Sequence, residues 1–328
     1  MKNNILYLFF AFIHFLFEQL LLNRYIKLVI ILSVCLYGSV SAQQIPLYTQ
    51  YMLNDFVFNP AITGTSDYYQ AKSNNRYQWV GITDAPRTYI LSVYGPHRVY
   101  DMGFGGCVFN DVTGPTSRTG AYASYAYNVR LKDDKRLSMG LSVGLLQFKI
   151  DGSKVVLHDD GDPSFGHDMY IDYIPDASFG TYLYAEKFYF GIAANQLFNN
   201  TVSFNEIESQ GINKLKSHFM AHGGYTFKIN KDFDVEPFMM VKYVTPAPVQ
   251  FDFGVRGVYQ KTVWAGFGYR TKDACSILIG YNHEEQLFFG YSYDITLTNV
   301  KKYSSGTHEL MIGARFNKIR MSKSRSKI

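Results

Sequence analysis

Leu137-Ser138-Met139-Gly140-Leu141-Ser142-Val143-Gly144-Leu145 decides the fold class. Five large apolar residues alternate with four Ser or Gly, the two-residue period of a strand with one oily face and one small polar face. Val249-Gln250-Phe251-Asp252-Phe253-Gly254-Val255-Arg256 repeats the alternation with Asp252 and Arg256 on the second face, and Leu310-Met311-Ile312-Gly313-Ala314-Arg315-Phe316 places Arg315 there. Charges held to one strand face, opposite an apolar one, are expected where one face meets lipid and the other a water-facing lumen.

Outward from these stretches, alternation predicts strands at 69–77, 87–95, 102–110, 118–129, 136–148, 173–185 and 187–197. A second set follows at 215–229, 233–244, 249–260, 262–270, 274–283, 286–295 and 307–316. The total is fourteen, even as single-chain outer-membrane barrels require. Pro237 cannot donate to a ladder and makes its strand the weakest. From a periplasmic start, odd connections are expected to be long and extracellular. Asp151–Asp172, Asn199–Lys214 and Thr296–Gly306 are long, whereas Glu186-Lys187, Asn230-Lys231-Asp232, Gln260-Lys261 and His283-Glu284-Glu285 are short. The predicted fold is an all-β, antiparallel transmembrane barrel of about fourteen strands over 69–316, preceded by a periplasmic segment or plug at 43–68. Its lipid face takes in Leu137, Met139, Leu141, Val143, Phe251, Phe253, Val255, Leu310 and Ile312.

Composition agrees. Charged residues are 18% and aromatics 17% of 328 residues, with 27 Tyr and 26 Phe; a soluble domain carries about 25% charged. Disorder is excluded by the apolar content. After Ala42 no apolar run reaches the roughly 18–20 residues of a spanning helix. Lys27 followed by Leu28–Leu36 and Val40-Ser41-Ala42 reads as a signal peptide over 1–42 releasing Gln43, with the apolar Ile5–Leu22 stretch before it read as an overcalled start in preference to a retained anchor. Cys35, preceded by Val34, reads as an ordinary residue of that apolar stretch. The leader carries +2 and the 317–328 tail +5, leaving a body of −2 within the formal total of +5. No basic face serves nucleic acid, and the tail is expected in the periplasm.

Residues that suggest chemistry have plainer readings. His218 and His222 stand about 13 Å apart on a strand, too far for one metal ion. His158-Asp159-Asp160-Gly161-Asp162, with Asp168 and Asp172, lacks the spacing of a calcium loop. No Ser sits in a Gly-x-Ser-x-Gly elbow. Asp252 and Arg256 are expected to offset each other's charge, and Cys107 and Cys275 to fill space. No enzyme, cofactor or metal is indicated.

The richest local signal runs Gln50-Tyr51-Met52-Leu53-Asn54, Phe58-Asn59-Pro60-Ala61-Ile62-Thr63-Gly64, Arg76-Tyr77-Gln78-Trp79-Val80-Gly81-Ile82 and Ala85-Pro86-Arg87-Thr88. Asn59-Pro60 and Gly64 make turns, and Trp79 with Tyr77 suits a membrane interface. The physical reading is a plug or clasp against the periplasmic mouth. This set resembles the PorP/SprF family of outer-membrane proteins, tied to type IX secretion and gliding motility in Bacteroidota. The resemblance rests on Gln50, Tyr51, Met52, Asn54, Asn59, Pro60, Ala61, Gly64, Gln78, Trp79, Val80, Gly81, Ala85, Pro86 and Thr88. It departs at Ile62-Thr63, where members commonly carry Tyr-Ala, and in the basic tail.

The resemblance implies an outer-membrane location and a non-enzymatic role. That role is anchoring or assisting export of a specific secreted surface protein or adhesin, together with other type IX components. A general diffusion porin or nutrient channel is the alternative. Asn59, Pro60, Gly64, Trp79, Gly81 and Pro86 are the expected partner or periplasmic-end residues, and Asp252, Arg256 and Arg315 the lumen charges. Phe165, Tyr170 and Phe204 are expected to offer contact surface in the long loops.

Overall fold

The computed structural model describes residues 45, 48–155, 169–202 and 213–319. Wherever large apolar and small or polar residues alternate, the chain is extended. The strands are β1 (Tyr69–Tyr77), β2 (Arg87–Pro96), β3 (Met102–Thr113), β4 (Thr116–Arg130), β5 (Arg136–Asp151), β6 (Met169–Tyr184) and β7 (Phe188–Asn195). They continue as β8 (His218–Tyr225), β9 (Phe233–Tyr243), β10 (Gln250–Tyr259), β11 (Val263–Arg270), β12 (Ala274–His283), β13 (Leu287–Thr296) and β14 (Thr307–Phe316). Each pairs antiparallel with its neighbours in sequence, and β1 pairs with β14 from Tyr69↔Phe316 to Tyr77↔His308, which closes a fourteen-stranded barrel. Closure leaves no edge strand, the condition for spanning a bilayer with strands.

The ladder has one interruption where Pro237 predicts it. β8 pairs with β9 up to Gly224↔Phe238, and pairing resumes in the same register at Phe227↔Val235, so the gap lies across Pro237. Proline has no N–H to donate there.

The connections depart from a uniform alternation of lengths. β3 and β4 join through Gly114-Pro115 alone, and β11 and β12 through Thr271-Lys272-Asp273, although both belong to the long-loop end. β5 and β6 each run sixteen residues and pair up to Asp151↔Met169. This exceeds the 9–11 residues a tilted strand needs to cross a bilayer. Tyr170 therefore sits inside a strand, buried at 6% exposure, and not in a contact loop. The acidic 158–162 stretch, Phe165 and Phe204 lie outside the described residues. At the opposite mouth the turns are tight. Gln260-Lys261 and Glu284-Glu285 each hold two consecutive residues at φ of +48° to +56°, the primed geometry that matches strand twist.

The outer face is apolar as expected, with Leu141 at 48%, Val143 at 53% and Phe253 at 52% exposure. Exposed Tyr77, Tyr89 and Tyr243 ring one end, and Tyr127, Tyr225, Tyr259 and Phe316 the other, the aromatic girdles of a membrane barrel. The inner face corrects the expectation of a water-facing lumen. Ile90, Met220, Phe238, Met240, Leu278 and Met311 point inward and are buried, because the segment before β1 fills the barrel.

Candidate functional site: the plug and the two mouths

Tyr48–Gly64 runs through the lumen from the long-loop half, where Tyr48 lies near Phe109, to the short-turn end. It is therefore an internal plug and not a clasp on one mouth. Three single-turn 3-10 helices, Tyr51–Leu53, Asp55–Val57 and Pro60–Ile62, compact it. Pro60 starts the third with its φ already fixed, and Asn59 caps it, the side-chain Oδ1 accepting from the Ala61 N–H at 3.0 Å.

The plug comes close to the wall at glycines of several strands, among them β5, β6, β3 and β13. A Cβ on Gly140 would collide with Pro60 and Ala61, and one on Gly180 with the Asn59 amide. Gly64 has φ of +76°, and a Cβ there would sit 2.6 Å from Gly103 Cα. The Ser/Gly face of β5 is thus a seat for backbone.

Ion pairs hold the plug's first turn. Glu309 accepts from the Thr49 N–H at 2.8 Å, the Gln50 N–H at 3.1 Å and Arg76 at 3.0 Å. The Thr49 hydroxyl donates to Asp294 and accepts from Arg76 at 2.9 Å, and Arg76 also reaches Asp294 at 2.8 Å. Arg270 extends the network to Asp252 at 3.0 Å and Asp273 at 3.2 Å, and Lys242 joins Asp252 at 3.2 Å. Arg76, Asp294 and Glu309 are 3% exposed or less. Removing one member would strand a buried charge, at a cost of about 3–5 kcal/mol.

The sequence-selected residues fall into three places. Asn59 donates to the Thr181 carbonyl at 3.1 Å and lies 3.2 Å from His222 Nε2, so His222 meets the plug, with Pro60 and Gly64 beside it. The structure does not bring Trp79 together with the Asn59–Gly64 turn: Trp79, Gly81 and Pro86 lie at the opposite, long-loop end. There Val80 exchanges backbone hydrogen bonds with Ser305 and Gly306 at 2.7 and 2.9 Å, and the Pro86 carbonyl accepts from Gln78 at 2.9 Å. This clasp ties the first loop to the last across the β14–β1 seam, with Trp79 at φ +50° and Gly81 at +102°.

Asp252 and Arg256 do not offset each other: Arg256 pairs with Glu236 at 2.5 Å, because four residues along a strand separate the two. Arg315 lies over the Tyr68 ring at 5.0 Å. The pairing of Thr49 with Glu309 and Asp294 was missed. Its trace in sequence is single charges at inward positions of several strands: Arg76, Arg270, Asp294 and Glu309.

Free space is divided by the plug. A cavity of about 70 Å³ lies toward the long-loop half beside Tyr48, Phe109 and Leu146. One of about 520 Å³ opens at the short-turn mouth, lined by plug residues and by Lys72, Arg256, Trp264 and Arg315. At its rim, the hydrogen bond from Lys228 at 2.6 Å holds the Glu186 carboxyl below its ordinary range. Cys107 and Cys275 are unpaired thiols in β3 and β12. Among the described residues no three His, Cys, Asp or Glu side chains converge on a metal-sized point.

Solved barrels of similar form include the Ralstonia pickettii toluene transporter TbuX, at 8% identity and TM-score 0.49, covering 86% of this chain and 97% of that one. The CymD monoaromatic hydrocarbon channel matches at 11% identity and TM-score 0.47, over 85% and 94%. A Pseudomonas aeruginosa FadL homologue matches at 10% and 0.43, over 80% and 93%. No curated protein matches the chain. The family model described as type IX secretion system membrane protein PorP/SprF matches residues 40–314, nearly the whole barrel and its plug, and the chain belongs to that family of outer-membrane proteins.

Proposed function

We propose that this barrel is a closed, non-enzymatic surface anchor or export accessory for one specific secreted protein of the type IX system, an adhesin or similar cargo. It works beside other components of that machinery and does not act as a diffusion pore. The observation that carries the reading is the filled lumen: buried ion pairs fasten Thr49 and Gln50 inside the barrel, where a porin keeps an aqueous channel.

In this reading the long-loop mouth faces outward and meets the cargo, while the short-turn mouth and the 317–328 tail face the periplasm. The 1–42 leader is removed on export. The family's implied link to gliding motility enters through the same cargo. Asn59, Pro60 and Gly64 seat the plug, and Trp79, Gly81 and Pro86 order the outward rim.

Deleting the gene should release or degrade one surface protein while uptake of small solutes stays unchanged. Lost uptake with an intact surface proteome would replace this reading with a diffusion porin or nutrient channel.

A further inference from the structure

The cavity of about 520 Å³ at the short-turn mouth falls within the roughly 300–1,000 Å³ of small-ligand sites. Its floor is plug, and Tyr94, Trp264 and Phe288 stand in its wall. Of its four cations Arg256 is paired with Glu236 and Lys261 is an exposed turn residue, whereas Lys72 and Arg315 face inward without an ion pair among the described residues. Lys72 donates to the Leu53 carbonyl and the Tyr94 hydroxyl, both at 2.5 Å and both neutral. Arg315 has its Nε buried without a partner and its Nη1 3.4 Å from the Glu285 carbonyl. Both cations share one ring, Phe288, at 5.8 and 5.5 Å.

Elsewhere inside the barrel the pattern differs. Arg76, Arg118, Lys242 and Arg270 each have a carboxylate within 3.2 Å, and within this cavity Arg256 has Glu236. The cavity does contain Asp55, Glu186, Asp234, Glu236 and Glu285, yet among the described residues none lies within the 4.0 Å of an ion pair with Lys72 or Arg315. Asp55 acts on Lys72 only from beyond ion-pair distance, so neither cation has a direct carboxylate contact, and a ligand anion would supply one.

We propose that this cavity binds a short peptide through a carboxylate held by Lys72 and Arg315, with the peptide's apolar side chains against Tyr94, Trp264 and Phe288. The volume is several times that of a phosphate ion. Asp55 and Glu236 would repel a doubly charged phosphate but accept peptide N–H groups, and Gln70 and Asn282 offer amides to pair with its carbonyls. The site lies at the mouth opposite the long loops and does not depend on the barrel carrying cargo.

The chain has two tryptophans, so W79F leaves Trp264 as a reporter inside the cavity. The full chain carrying W79F, purified in detergent, is titrated with acetyl-Phe-Gly-Ser-Glu-amide, which carries a single carboxylate. A saturable change in Trp264 fluorescence is expected, weakened at least tenfold by R315Q and by K72M and absent with acetyl-Phe-Gly-Ser-Lys-amide. No saturable change, or equal binding of the lysine peptide, overturns the proposal. Displacement of the peptide by equal concentrations of inorganic phosphate or of dihexanoylphosphatidylglycerol also overturns it, and assigns the cavity to a phosphate-bearing ligand. Unheated gel migration shows whether each variant has formed its barrel. If R315Q has not, K72M and the peptide comparison on the W79F chain still decide.

Discussion

Glu309→Gln tests whether the lumen is held shut by charge. Glu309 receives two plug N–H groups, at 2.8 and 3.1 Å, and the Arg76 guanidinium at 3.0 Å. The amide keeps the shape, yet one of its two ends can no longer accept, and the ion pair with Arg76 disappears. Breaking a buried pair costs about 3–5 kcal/mol, and a stranded buried N–H about 1–3 kcal/mol. Arg76 keeps Asp294 at 2.8 Å, so the lower end, about 3 kcal/mol, is expected. At about 1.4 kcal/mol per decade that raises the ratio of displaced to seated plug roughly a hundredfold. Planar-bilayer recording should find the native barrel silent and the variant flickering between closed and conducting levels, with protease reaching the plug faster. A native barrel that conducts steadily, or a variant as silent and as protease-resistant as the native one, would refute the charge clamp.

Gly180→Val should displace the plug by a different route, since its side chain enters the space of the Asn59 amide. Conductance would rise with no loss at the ion pairs. Leu141→Arg, on the lipid face at 48% exposure, should cost about 2–4 kcal/mol by urea titration in vesicles. Replacing Gln260-Lys261 by Asn-Gly puts glycine at one left-handed position and the more tolerant Asn at the other and should raise stability in the same titration by about 1–2 kcal/mol. On intact cells a membrane-impermeant maleimide should label Asp84→Cys at the long-loop mouth and miss Asp133→Cys at the short-turn mouth; the reverse result would invert the orientation.

What was legible in the sequence was whatever repeats along one strand. The alternation from Leu137 to Leu145 gave the facing of β5, and β1 and β14 fall at the predicted bounds, 69–77 and 307–316. Strand ends were read short where the chain stays extended beyond the membrane: β3 and β4 continue to a two-residue turn at Gly114-Pro115, and β6 begins at Met169. Periodicity marks the part of a strand that has two different surroundings, and it fades above the lipid. The lumen was hardest to read. Thr49 and Glu309 are 260 residues apart, and nothing near either announces the other. Inward Ser and Gly on β5 looked like a wetted wall, because small polar residues suit water and a closely packed backbone alike.

The plug, once seen, also changes what the family motif reports. Its first half, from Gln50 to Gly64, lies inside the barrel, and its second half, from Gln78 to Thr88, begins at the long-loop rim. β1 joins the two halves and carries Arg76, which fastens the plug, and Lys72, which holds the Leu53 carbonyl. The same strand closes the barrel against β14, and the rim clasp at Val80 ties down the last loop on that seam. Plug, closing strand and clasp therefore form one continuous piece of chain whose contacts are with the barrel itself. A segment so occupied has little surface left with which to distinguish one cargo from another. In the proposed anchoring role, discrimination between cargoes would then fall to side chains that the motif does not fix. At the long-loop rim these include Tyr303, 76% exposed beside Lys301 and Lys302. Exchanging the 297–306 loop between two family members should accordingly move cargo preference with the loop, whereas exchanging 50–64 should alter barrel stability and leave preference where it was.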